Sequence, residues 1–384
     1  MTELKAVPSK IEKSLNITGV CLELADGYML LRRLNLPSGT AGGCLTASQS
    51  TTCFPQKERT YNLNNLKKAL LEDLLRDKNV TYVDVGARDL SPHFFRSCPE
   101  LIHFVGVEPE EEEAKKLTTK PPLEWKSFYL SDKGLSARGG PKTLWVTPNP
   151  GSSSTKKPLL SYAEKYNRFG AFTASEKQSI YTQTIEDLLK FSQASGGLVF
   201  KLDIEGSELD VLRGLKKSAK RLLLVKTEVS FQRIRGEQSM PSDMLNLMDE
   251  LGFDLVRISD VDDLRFAGDQ STFPMRNTGF SSYPIYSRGD VGTAEFLFLR
   301  RFKTVTPELH QAFAAVCVEV EQFDKATEAL KNLANQNWSV ALFKCARRNY
   351  QRRILFEGLN SLKAVWNTPR NLMRSVEIKA TRLR

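Results

Sequence analysis

Two hydrophobic rhythms divide this chain. Short, mainly apolar runs occur at residues 80–85, 102–107, 125–130, 198–200, 222–227, 253–258 and 294–299. Runs of this length, closed by turn residues or acids, predict buried strands. Between them, apolar residues fall at three- and four-residue spacing, as in Leu66, Leu70, Leu71 and Leu74. That spacing predicts helices over 64–76, 209–217 and 240–251, packed on the strands by one face. Thr184 followed by Asp187 three residues on predicts a helix start there. Gly252 marks the end of the helix before it. Strands alternating with helices predict an α/β sheet.

The flanks follow other patterns. Residues 20–24 and 28–31 alternate around Asp26-Gly27 and predict a hairpin. Residues 37–55, rich in Ser, Thr and Gly, and 260–293, with Pro274 and Pro284, predict loops. Residues 155–179 predict a polar insertion in which Tyr162, Tyr166, Phe169 and Phe172 serve either packing or stacking on a ligand. Residues 307–332 predict two helices attached as an appendage. The expected organisation is an N-terminal extension over 1–79, a catalytic domain over 80–302 and a helical region with a basic tail over 303–384.

The chemistry concentrates where apolar runs end in acids. Residues 198–200 run into Lys201-Leu202-Asp203-Ile204-Glu205-Gly206-Ser207-Glu208. A strand end with three carboxylates and a glycine is poorly suited to pure stability, because the strand behind it is buried and desolvation is costly. In open α/β sheets, ligands bind at the carboxyl ends of strands. Glu208 taken alone suits a helix start instead. The run over 80–87 ends in Asp84-Val85-Gly86-Ala87, and the next run ends in Glu108 about 20 residues on, the spacing of a ribose-binding acid. A carboxylate suits that task because it accepts hydrogen bonds from both ribose hydroxyls. Opening the next helix with Glu110 to Glu113 is the alternative account of Glu108, but its pairing with Asp84-x-Gly86 favours the ribose role. His103 reads as structural.

The octet resembles the K-x-D-x-E-G-x-E signature of the FkbM family of S-adenosylmethionine-dependent methyltransferases. The resemblance spans roughly residues 80–302. It implies a class I, Rossmann-like mixed sheet flanked by helices. It also implies S-adenosylmethionine as cofactor, held by Asp84, Gly86, Ala87, Glu108, Ser131, Asp132 and Asp203. Ser131-Asp132 resembles the family's Ser-Asp beside the adenine. The loop Gly151-Ser152-Ser153-Ser154 resembles the Ser-rich loop beside its active site, and is equally readable as a linker. One departure stands out: the family continues D-x-G-A-N-x-G, whereas this chain continues Arg88-Asp89-Leu90-Ser91 and lacks the later glycine. Glu186 likewise stands where the family has an Asp.

Methyl transfer to a hydroxyl is an in-line displacement governed by proximity and helped by a base. Asp203, Glu205 and Glu228, all at strand ends, are the candidate catalytic acids. Asp203 is equally placed to face the cofactor's amino group, and Lys201 to neutralise the acids. The sequence shows no metal-ligand cluster, although the three acids could hold a hard cation if they converge.

Composition narrows the class. The chain has 384 residues, 41% hydrophobic and 26% charged, as expected of a soluble globular protein. No stretch has the apolar length of a membrane span, and residues 1–16 lack the apolar core of a secretory signal. Six scattered cysteines, without a C-x-x-C pair, predict reduced thiols in a cytoplasm. The net charge of +10 is carried almost wholly by residues 341–384, where eleven Lys and Arg face two Glu. Arg347, Arg348, Arg352 and Arg353 interleave there with Leu342, Phe343, Tyr350, Ile354, Leu355 and Phe356, predicting a basic amphipathic helix. An anionic membrane surface is the partner this suits best. Nucleic acid, an oligomer contact and a solvated helix face are the alternatives.

Three functions follow. The first is O-methylation of a hydroxyl on a sugar or glycan-like acceptor, the acceptor class being implied by the resemblance alone. The second is a nucleic-acid methyltransferase that uses the basic tail, disfavoured by a near-neutral core with no RNA-binding module. The third is a binding protein that kept the fold without catalysis, motivated by the missing glycine.

Overall fold

The computed structural model describes residues 63–354, apart from 89–91, 120, 122, 265–288 and 332–337, and the backbone of three strands between residues 16 and 33. The chain divides into two units, residues 1–59 and 60–384. In the first, Val20–Ala25 pairs antiparallel with Tyr28–Arg33, as the hairpin pattern predicts, and Asn16–Ile17 adds a short third strand. The turn residues Asp26-Gly27 and the loop at 37–55 lie outside the described residues.

The second unit is built on a seven-stranded sheet. In chain order its main elements are α1 (Leu63–Leu75), β1 (Val80–Val85), β2 (His103–Val107), α2 (Glu111–Thr119) and β3 (Ser127–Ser131). Next come α3 (Ile185–Phe191), β4 (Gly197–Leu202), α4 (Glu208–Arg213), β5 (Leu222–Ser230), α5 (Pro241–Glu250) and β6 (Phe253–Ser259). The unit ends with β7 (Thr293–Arg300), α6 (His310–Glu319), α7 (Phe323–Leu330) and α8 (338–354). The strand order is β3-β2-β1-β4-β5-β7-β6. β1 to β5 run parallel, and β7 enters antiparallel between β5 and β6.

β1 and β4 are buried along their whole length, which explains why apolar residues dominate them, with Thr81, Asp84 and Lys201 as the polar exceptions. Their side chains feed two cores. Tyr82, Phe104, Val199 and Leu224 pack against α1, α6 and α7. Val83, Val105, Phe200 and Val225 pack against α3, α4 and α5. The helices at 307–330 therefore belong to the core of the sheet: Phe313 and Val316 are fully buried in it. They are not an appendage, because α6 is apolar over most of its surface and buries nearly all of it.

A second, three-stranded sheet rises beside the main one. Glu176–Gln183 pairs with Gly140–Val146 and with the short Gly134–Leu135. Leu160–Tyr166 and Phe169–Phe172 are helical, and Tyr166 and Phe172 pack with Ile234 in a small separate core. Those two aromatics serve packing.

Candidate active site

The parallel strands end together, and the loops that follow them enclose a cavity of about 510 Å³. Its floor is the end of β1 and β4. Register places Lys201 beside Asp84, so the ammonium of one strand meets the carboxylate of the next. Lys201 Nζ lies 3.3 Å from Asp84 Oδ1 and 3.3 Å from Asp203 Oδ2, and donates to Gly86 O at 3.1 Å. Burial opposes the Lys201 charge, but the two carboxylates more than offset it and its pKa is raised. Asp84 Oδ2 accepts from the Tyr82 hydroxyl at 3.1 Å. Burial raises the Asp84 pKa, against the pull of Lys201.

Gly86 is required by this floor. It sits at φ +78°, and a Cβ there would lie 2.0 Å from Asp203 O. The close approach that its missing side chain permits is of β1 to the end of β4, one strand over.

At the β2 end stands Glu108, buried and lining the cavity. Its Oε1 accepts from Glu110 N at 3.0 Å, and burial pushes its pKa upward against that bond and nearby Arg88. Arg88 is paired with Glu110 at 2.8 Å. Asp89 to Ser91, where the glycine is missing, lie outside the described residues.

Beyond β4 the octet folds into a tight loop. Glu205 (φ +60°) and Gly206 (φ +103°) both take left-handed backbone. Glu208 reaches back from the start of α4 to hold them. Its Oε1 accepts from Ile204 N and Gly206 N, and its Oε2 from Gly206 N at 2.9 Å. Complete burial, only partly offset by these bonds, pushes Glu208 up to about 7. Glu205 turns to Arg235, whose Nη2 lies 2.5 Å from Glu205 Oε2 and also donates to Ser152 O at 3.0 Å. Burial raises the Glu205 pKa, and Arg235 restrains it. The Ser-rich loop packs on the octet: Ser154 Oγ donates to Glu205 O at 2.7 Å, and Thr155 pairs with Ser207 at 2.7 Å.

The cavity thus brings together Asp84, Gly86, Glu108, Asp203 and Glu205 of the expected residues, with Gly151, Ser153 and Ser154 as a wall. Leu144, Val146, Gln178 and Ile180 of the small sheet close one side. Ala87, Ser131, Asp132 and Glu228 are not among the lining residues. Ala87 packs in the core. Ser131 Oγ accepts from Gln183 Nε2 at 2.6 Å, and its carbonyl accepts from Glu108 N at 3.0 Å, so it braces Glu108 from behind. Asp132 is exposed. Glu228 lines a separate, water-sized cavity of about 10 Å³ with Glu208 and Gln238. Burial, then the charges of Glu205, Asp203 and Glu208, push Glu228 up to about 8. Among the described residues, no group of three or more His, Cys, Asp or Glu is arranged to hold a metal ion.

Two residues that pattern reading missed belong to the site. Arg235 is almost wholly buried, and nothing in the stretch Arg233-Ile234-Arg235 distinguishes the buried arginine from its neighbour. His93 lines the cavity, with Nδ1 2.8 Å from Lys226 Nζ, which itself pairs with Glu295 at 2.7 Å. Burial and Lys226 push His93 down to about 4, so it is neutral near pH 7. A lone His after a glycine turn was the sole signal.

A parallel sheet with one late antiparallel strand, a glycine turn after β1 and an acid at the end of β2 define the class I S-adenosylmethionine-dependent methyltransferase architecture. Residues 84–255 match the family model for the methyltransferase FkbM domain, a family whose cofactor is S-adenosylmethionine. Among solved structures, it is similar to magnesium protoporphyrin IX methyltransferase from Synechocystis PCC 6803 with bound S-adenosylmethionine. That likeness has 9% identity and TM-score 0.27, and covers 62% of this chain and 79% of the other. A second is a putative RNA methyltransferase from Pyrococcus horikoshii, with 9% identity and TM-score 0.24, covering 62% of this chain and 83% of that one. No curated protein matches the chain. The residues present fit the cofactor: Glu108 is a buried carboxylate facing the cavity with acceptor capacity left for hydroxyls, and the cavity volume lies within the usual range for small-molecule sites, about 300–1,000 Å³.

Proposed function

We propose that this methyltransferase acts on a hydroxyl of a sugar or glycan-like acceptor, through the acids at the end of β4. The observation that carries this reading is Glu205 on the cavity wall, held there by the buried Arg235. When bound, S-adenosylmethionine supplies an electrophilic methyl group on a sulfonium. Glu108 accepts hydrogen bonds from the ribose hydroxyls. Asp203, clamped by Lys201, faces the cofactor's amino group. Glu205 takes the proton of the acceptor hydroxyl. Arg235 engages its Oε2 and fixes the side chain, which leaves Oε1 for the proton. Burial makes Glu205 a stronger base than an exposed carboxylate, closer to the range where proton transfer is efficient. Glu228 stands outside the cavity lining and, pushed up to about 8, stays largely protonated near pH 7, so it takes no part in removing that proton.

The reading places the enzyme in a reducing, cytoplasmic compartment, where the buried free thiols of Cys98, Cys317 and Cys345 persist. Among the described residues, no helix is long and apolar enough to cross a membrane. The test is transfer of label from methyl-tritiated S-adenosylmethionine into fractionated cell extract. Label in a carbohydrate fraction that survives mild alkali, as a methyl ether does, is the expected result. Label confined to protein or RNA would contradict the acceptor class.

A further inference from the structure

We propose that α8 is a docking face for an anionic lipid surface, carried on the flank of the methyltransferase unit. The helix is anchored by one side. Leu342, Cys345 and Asn349 are buried, and the Trp338 indole donates to Asp73 on α1. Near its far end, Arg353 pairs with Glu321 at 2.8 Å. These contacts fix which way the helix faces, so its outer side does not turn into the core.

That outer side is apolar. Val340, Phe343, Tyr350 and Ile354, with Arg347 between them, recur at three- and four-residue spacing and so share one stripe. They are 54%, 68%, 66% and 50% exposed. Single exposed apolar residues are ordinary, but an aligned row marks an interaction site. The charges around the row choose the occupant. Residues 338–354 contain Lys344, Arg347, Arg348, Arg352 and Arg353 and no acid. A second copy of the helix would set five cations against five. An RNA backbone would use the cations and leave Phe343 and Ile354 in water. A surface of anionic lipids uses both, since apolar insertion and charge attraction add there.

The placement suits the enzyme. Phe95 N donates to Glu319 at the end of α6, at 2.9 Å, and the same loop carries His93 on the cavity wall. Glu321, two residues on, holds Arg353. The last turn of α8 is thus tied, through Glu321 and Glu319, to the loop that carries His93. This inference stands apart from the acceptor class, and either can fail alone.

The test is co-sedimentation of the full chain with vesicles of phosphatidylcholine, with or without phosphatidylglycerol. Ending the chain at Val340 is unsuitable, since it strips Leu342 and Cys345 from the core. Two surface variants serve instead: Phe343→Ser/Tyr350→Ser/Ile354→Ser, and Lys344→Gln/Arg347→Gln/Arg352→Gln. Both leave the buried face and the Arg353 pair in place, and unchanged melting temperatures verify this. The expected result is binding to anionic vesicles alone, weakened by salt and reduced at least about tenfold in each variant. No binding by the natural chain, or binding unaffected by the serine variant, would overturn the proposal. So would a dimer in light scattering that the serine variant dissolves. Binding of an RNA oligonucleotide that survives the serine changes, without vesicle binding, would assign the face to nucleic acid instead.

Discussion

Glu108, at the carboxyl end of β2, and Glu208, opening the helix after β4, are both buried carboxylates, and burial raises the pKa of both. They differ in what is left over. Glu208 receives the amides of Ile204 and Gly206 on both oxygens and is consumed in shaping the loop after β4. Glu108 receives one amide, from Glu110, and presents the rest of its acceptor capacity to the cavity. Burial of an acid therefore does not mark a ligand group. Unspent hydrogen-bonding capacity facing open space does. Glu205 stands between the two, tied to Arg235 by one oxygen.

The largest effect falls on that tie. Arg235→Met removes the buried partner of the half-buried Glu205 carboxylate, and should destabilise the protein by about 3–5 kcal/mol in chemical denaturation. Adding Glu205→Gln should return much of the loss, because no buried charge then remains uncompensated. A double variant as unstable as the single one would mean that Arg235 matters for packing alone.

Next comes the contrast itself. Glu208→Ala should cost about 2–3 kcal/mol of stability, the order of a charge-assisted bond lost and amides left without a partner. Glu108→Ala should cost under about 1 kcal/mol, since it frees a single amide near the surface. Equal losses would erase the distinction between a loop-shaping acid and a ligand-facing one.

The smallest effect is a slope with pH. Glu208 and Glu228 have folded-state pKa values of about 7 and about 8, above those of an unfolded carboxyl. The folded state therefore holds protons that the unfolded state has released. The contribution of these two groups to stability is fullest below pH ~4.5 and falls as the pH rises through about 7 and 8. Glu228→Gln, which mimics the protonated form, should flatten that slope and add about 1–2 kcal/mol near pH 8.5. A parallel pair of melting curves across pH 5 to 8.5 would remove Glu228 from this account.

Much of the fold was legible because parallel strands covered on both faces are rich in apolar residues, as 80–85 and 222–227 are. The strand Glu176–Gln183 was not, because it is largely exposed and reads as polar loop; its pairing with Gly140–Val146 makes it a strand. The helix after the octet ends at Arg213 rather than 217, and residues 217–221 form a separate 3-10 turn. Within the site, the octet and Glu108 could be found from strand ends. Arg235 and His93 could not, since their roles come from contacts to residues 30 and 133 positions away. A one-dimensional pattern carries no trace of such pairs.

The central claim is that Glu108 marks a cofactor site shared with the end of β4. Titration calorimetry of S-adenosylmethionine into the natural chain and into Glu108→Ala tests it most directly. The account predicts saturable binding in the natural chain, weakened by about 1.5–3 kcal/mol, roughly 10- to 150-fold, in a variant that melts normally. No heat with the natural chain at high micromolar cofactor, or equal affinity in the two proteins, would contradict it.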